Sequence, residues 1–138
     1  KNDVLFLNGD LVFQKATLTT LLHSLKTRMV VNAAPPDEEA VKYATDAGKR
    51  VTCIGKQLPQ AEGESLGMHF FCKKDLHLLK KHLALALEND FFEVAIQACI
   101  EEGLVIEPVY VEESSCIEID FPQDLQKANA LIQQWEQL

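Results

Sequence analysis

Val4-Leu5-Phe6-Leu7-Asn8-Gly9-Asp10 decides how the chain is read: a short apolar run with polar flanks stops abruptly at three turn-forming residues. That pattern predicts a buried strand ending in a turn. Leu18, Leu21, Leu22 and Leu25 then recur at helical spacing behind a Thr-rich start, and Met29-Val30-Val31 forms a second apolar run. Strand, helix, strand is the opening they predict.

Working outward, Ala33-Ala34-Pro35-Pro36 breaks regular structure. Val41 and Tyr43 alternate with polar neighbours, as do Val51 and Cys53 across Asp46-Ala47-Gly48-Lys49, which predicts an inserted β-hairpin. Residues 57–65, with Pro59 and Gly63, read as a polar loop before a strand over 66–71. Leu76, Leu79, Leu83 and Leu87 keep a helical period over 74–88. A second helix over 91–102 stops at Gly103, ahead of a strand over 105–111. A short strand over 116–119 leads into Asp120-Phe121-Pro122-Gln123-Asp124, where proline suits helix initiation, and the last helix runs to Trp135. Alternating strands and helices predict an α/β fold with a mainly parallel or mixed sheet.

The 138 residues, 47% hydrophobic, can bury one core, so a single domain over 1–138 is expected. Lys and Arg total 13 against 21 Asp and Glu, a net charge of −8 that repels phosphate backbones and argues against a nucleic-acid partner. Apolar runs such as Val4 to Leu7 are far shorter than the roughly 20 residues that span a bilayer, and no signal-peptide pattern opens the sequence. No membrane association and a cytoplasmic location are the expectations. The four cysteines form no CxxC pair and read as free thiols. His23, His69, His77 and His82 make no metal motif and read as structural or solvated. Lys73, Lys74, Lys80 and Lys81 read as a solvated helix face.

Two aspartates stand where chemistry collects in open α/β sheets. Asp10 follows a buried strand, although Asn-Gly-Asp is also ordinary turn chemistry. Asp120 ends a strand ahead of a helix, where N-capping alone would account for it. A functional reading requires both together, gripping one hard cation from two strand ends. Lys56 after the hairpin and Glu64 in the polar loop are, singly, ordinary surface charges.

The ordered set Val4-Leu5-Phe6-Leu7-Asn8-Gly9-Asp10, Val51-Thr52-Cys53-Ile54-Gly55-Lys56, Gly63-Glu64-Ser65-Leu66-Gly67-Met68 and Glu118-Ile119-Asp120-Phe121-Pro122-Gln123-Asp124-Leu125 resembles the C-terminal half of the nucleotidyltransferase family. That family includes sugar-1-phosphate nucleotidyltransferases and phosphocholine cytidylyltransferases. The resemblance implies a partial Rossmann-like mixed sheet flanked by helices. It implies that Asp10 and Asp120 are the catalytic pair binding Mg²⁺, that Lys56 contacts the substrate phosphate, and that Glu64 and the backbone near Gly67 line the pocket for the sugar or choline group. The reaction implied is transfer of a nucleotidyl group from an NTP to a phosphorylated small molecule. The sequence contains no GxGxxG or GxxxxGK pattern to cradle the nucleotide's phosphates. Activity is therefore expected only with a complementary N-terminal half, and an uncovered sheet edge is expected to favour a homodimer. The alternative is a non-catalytic, self-associating or partner-binding domain of the same descent.

Overall fold

The structure is a computed structural model and describes residues 2–138. Eight strands and four helices follow in the order β1 (Val4–Leu7), β2 (Leu11–Phe13), α1 (Lys15–Leu22), β3 (Arg28–Val31), β4 (Lys42–Thr45), β5 (Val51–Gly55), β6 (Gly63–Phe71), α2 (Leu76–Leu85), α3 (Phe92–Glu101), β7 (Glu107–Tyr110), β8 (Cys116–Glu118) and α4 (Pro122–Glu136). Six strands form one mixed sheet in the order β5-β4-β6-β3-β7, with β1 also paired to β6. β3 and β7 run parallel, whereas β1, β3 and β4 all meet β6 antiparallel. The fold class is thus the α/β mixed sheet expected from the sequence, including its inserted hairpin β4–β5.

Strand alternation divides the core between the sheet's two faces. Met29, Val31 and Phe71 join Leu79 of α2 and Ile96 and Cys99 of α3 in one cluster. Val30, Met68 and Phe70 join Leu21 of α1, Val109 and Cys116 in the other. β6 is central to both and carries buried side chains from Met68 through Phe71. The hairpin is fastened where Tyr43 lies beside Gly63 and donates its buried hydroxyl to the Asn32 carbonyl at 3.0 Å. A side chain at Gly63 would put Cβ 2.0 Å from that carbonyl oxygen, so only glycine permits the approach.

Several local expectations are corrected. β1, expected as a buried strand, leaves Val4, Leu5 and Leu7 40%, 38% and 37% exposed, with β6 its one strand partner among the described residues. The first helix ends at Leu22, so Leu25 lies outside it and is exposed. β6 begins at Gly63, so Glu64 stands on a strand and not in the polar loop. The pairing of its backbone with Asn32 supplies the ladder that turn-like composition concealed. The helix expected over 74–88 spans Leu76–Leu85, preceded by a 3-10 turn at Lys73–Asp75, and Leu87 lies beyond its end, 75% exposed. The strand over 105–111 contracts to Glu107–Tyr110, the length that pairs with β3. β2 was not expected; it exists because Leu11, Val12 and Phe13 pair with β8.

Candidate acidic site and cleft

The two-stranded ribbon β2–β8 assembles the acidic site by its register. Leu11 pairs with Glu118, and one step further the Ile119 N–H donates to the Asp10 carbonyl at 3.0 Å. Asp10 therefore enters the ribbon opposite the residues that leave it. Glu118 and Asp120, two apart on extended chain, project to one face. Asp10, Glu118 and Asp120 each offer an oxygen within 4.8 Å of the others, and all three are exposed. Asp120 does not cap α4: the N-cap residue is Phe121, and its N–H donates to Asp124 Oδ2 at 3.0 Å. Asp124 performs the capping, which leaves the Asp120 carboxylate uncommitted to the helix.

Loss of water around the Glu118 carboxylate, followed by the negative charges of Asp10, Asp120 and Glu64, pushes its pKa above the ordinary value. The Asn8 side-chain amide opposes this, donating to Glu118 Oε1 at 3.3 Å. Asn8 is held by its own N–H, which donates to the Gly67 carbonyl at 2.9 Å. Gly67 has φ +67°, and a Cβ there would lie 2.4 Å from Asn8 Nδ2. Glycine at this position is thus what lets Asn8 sit against β6 and reach Glu118.

A cleft of about 1210 Å³ opens beside the acidic group, and its walls include Asn8, Lys56, Glu64, Gly67, Glu118 and Asp120. Glu64 is oriented from two directions by Asn32. The Asn32 amide donates to Glu64 Oε2 at 3.2 Å, and the Glu64 N–H donates to Asn32 Oδ1 at 3.2 Å. Lys56 is engaged at another part of the wall: its Nζ pairs with Glu39 at 3.2 Å and lies 4.8 Å from the centre of the Phe91 ring. The structure therefore gathers Asp10 and Asp120 at one point, and Lys56, Glu64 and Gly67 around the cleft they border.

Several participants escaped the sequence reading. Glu118 could have been found from its period-two spacing to Asp120 on a strand. Asn8 sits within the opening motif but reads there as a turn residue. Glu39 and Phe91 carry no local signal, because only folding brings them to Lys56.

No protein-family model and no curated protein matches the sequence. Solved structures do resemble its fold. The inositol-1-phosphate CTP transferase from T. maritima superimposes with a TM-score of 0.76 at 21% identity, over 99% of this chain and 57% of that one. The fold is that of the nucleotidyltransferases. The CTP:phosphocholine cytidylyltransferase from Streptococcus pneumoniae gives a TM-score of 0.66 at 14% identity, over 93% of this chain and 57% of that one. A CMP:2-keto-3-deoxy-manno-octonic acid synthetase, solved with CTP, gives 0.68 at 16%, over 96% and 62%. This nucleotidyltransferase-fold chain thus spans 57% to 62% of the length of these solved chains. Among its described residues, no helix is long and apolar enough to cross a membrane.

Proposed function

We propose that these residues form the metal-binding and acceptor-binding part of a nucleotidyltransferase site. The observation that carries this reading is that Asp10 meets Glu118 and Asp120, which follow it by over a hundred residues, with the three carboxylates within 4.8 Å on a nucleotidyltransferase fold. The donor set fits Mg²⁺: it consists of oxygens alone, and none of the three carboxylates has an ion-pair partner among the described residues. When bound, the cation supplies positive charge to phosphate oxygens as charge moves onto the leaving group.

The reaction is attack by an acceptor's phosphate oxygen on the α-phosphorus of an NTP, forming the new phosphoanhydride bond as pyrophosphate departs. The chain's own contributions are positional. Asn8, resting on Gly67, steers Glu118; Asn32 fixes Glu64 at the cleft wall; and Lys56 offers an ammonium group for the acceptor phosphate. The cradle for the nucleotide's phosphates is assigned to a complementary polypeptide segment, since these residues contain no glycine-rich phosphate motif.

Calorimetric titration with Mg²⁺, followed by glucose 1-phosphate, phosphocholine and CTP, tests this reading. Metal-dependent binding of a phosphate monoester is expected. Absence of binding for every phosphate ester with Mg²⁺ present would overturn it.

A second reading rests on β1. Its partner is β6, and among the described residues no strand pairs with its other edge, where Val4, Leu5 and Leu7 remain 40%, 38% and 37% exposed. An apolar strand edge of this kind favours self-association or a partner's strand. Under this reading the chain forms a dimer indifferent to metal and nucleotide, which mass measurement in solution during the same titration distinguishes.

A further inference from the structure

We infer that Lys42 is the positioning residue for Lys56: its ammonium group ties together the carbonyls of Glu38, Ala40 and Lys56 and so sets where the Lys56 side chain stands in the cleft; this rests on the acceptor site proposed above. Lys42 opens β4, opposite Gly55 on β5 and Glu64 on β6. From there its partly buried side chain reaches three carbonyl oxygens: Nζ donates to Glu38 at 3.2 Å, to Ala40 at 3.3 Å and to Lys56 at 2.9 Å. An ammonium group has three N–H donors, and these acceptors take all of them. Lys42 forms no ion pair among the described residues, so its charge acts on carbonyl dipoles, which a charged donor holds more strongly than a neutral one. With no donor left over, Lys42 is a positioning group and not a second ligand of the acceptor phosphate.

Residues 37–40 need this tie. Asp37 turns the segment locally, its Oδ1 accepting from the N–H groups of Glu39 at 2.9 Å and Ala40 at 2.8 Å. Among the described residues, however, no backbone hydrogen bond joins 37–40 to Lys56. Their other link is the ion pair of Lys56 Nζ with Glu39, whose side chain is 89% exposed, and an ion pair in water holds little. Lys42 is therefore the stronger link, fixing at one point the peptide that carries Lys56 and the loop that carries Glu39. Without it the three carbonyls lose their shared donor and the loop separates from the end of β5. Lys56 then leaves its place beside Glu39 and 4.8 Å from the centre of the Phe91 ring. Arginine does not substitute, since its donors are spread over a planar fork whereas these carbonyls converge on one nitrogen.

Nuclear magnetic resonance of the ligand-free chain tests the hold on Lys56. The Phe91 ring should shift the Lys56 Hε protons upfield, with Phe91→Leu as the unshifted reference. Lys42→Met keeps the apolar stem and removes the donors; it should lose most of that shift while the core resonances of His69 and Phe71 stay in place. Lys42→Arg, the milder change, should move the Lys56 resonances in the same direction. Lys56 resonances that stay put in Lys42→Met, or in Lys42→Arg should the first variant not fold, would overturn the inference. With Mg²⁺ present, Lys42→Met should weaken glucose 1-phosphate binding about tenfold, yet cause no further loss in a Lys56→Met background, and leave Mn²⁺ affinity unchanged. Losses that add across the two substitutions would also overturn it, since Lys42 would then act on the ligand by itself. Failure of every phosphate ester to bind would instead overturn the acceptor site, leaving the resonance measurement to decide Lys42's hold on Lys56.

Discussion

Glu118 is the residue on which the acidic site's pH behaviour turns. Its raised pKa means that it gives up its proton at higher pH than an ordinary glutamate. Metal binding requires the carboxylate form, so divalent-ion affinity should rise with pH through that interval, with proton release on binding. Calorimetry in buffers of different ionisation enthalpy would measure the released proton, and Glu118→Gln should abolish the release. His69 makes a separate prediction about stability. It is fully enclosed near Phe6, Phe71 and Phe92, its Nδ1 has no hydrogen-bond partner, and burial lowers its pKa from 6.5 to about 4. The unfolded chain accepts that proton near 6.5 and the folded chain only near 4, so this contribution is complete above pH 6.5. It is lost as pH falls and the loss levels off below about 4, amounting to ~3 kcal/mol. Urea denaturation across that interval should show the decline, and His69→Leu should remove this component. Asp10 and Asp120 were legible as candidates because both sit at strand ends beside turn residues. The sequence could not show that Asp124, not Asp120, caps α4, since both lie at capping distance from Pro122.

At the scale of elements, two glycines decide where β6 can dock. Gly63→Ala would drive a methyl group into the Asn32 carbonyl and loosen the hairpin's attachment. A loss of about 2 kcal/mol by denaturant unfolding is expected. Gly67→Ala combines a left-handed backbone with contact against Asn8. It should cost about 1 to 3 kcal/mol and also weaken metal binding by displacing Asn8 from Glu118. Tyr43→Phe removes only the buried bond to Asn32 and should cost about 1 kcal/mol. The hairpin and helices were visible in the sequence because their periodicities are strong. β2 was not, since three apolar residues after a turn become a strand only by meeting β8, over a hundred residues away. Glu64 was misplaced for a related reason: Pro59 and Gly63 read as loop chemistry, but Gly63 is there to admit Asn32.

For the molecule as a whole, the mixed sheet and the ordered motifs were legible, and the solved nucleotidyltransferase folds agree with them. The cleft's lining was not, because Glu39, Phe91 and Lys56 meet only through the hairpin and α3. The open edge of β1 carries its own prediction. Leu5→Lys places a charge on that edge and should shift any self-association, seen by sedimentation, toward monomer without altering metal affinity. The central claim is that Asp10, Glu118 and Asp120 together hold one divalent cation. Electron paramagnetic resonance titration with Mn²⁺, competed by Mg²⁺, tests it most directly. One ion per chain is expected, with affinity reduced at least about tenfold in both Asp10→Asn and Asp120→Asn. No stoichiometric site, or binding unchanged in both variants, would contradict it.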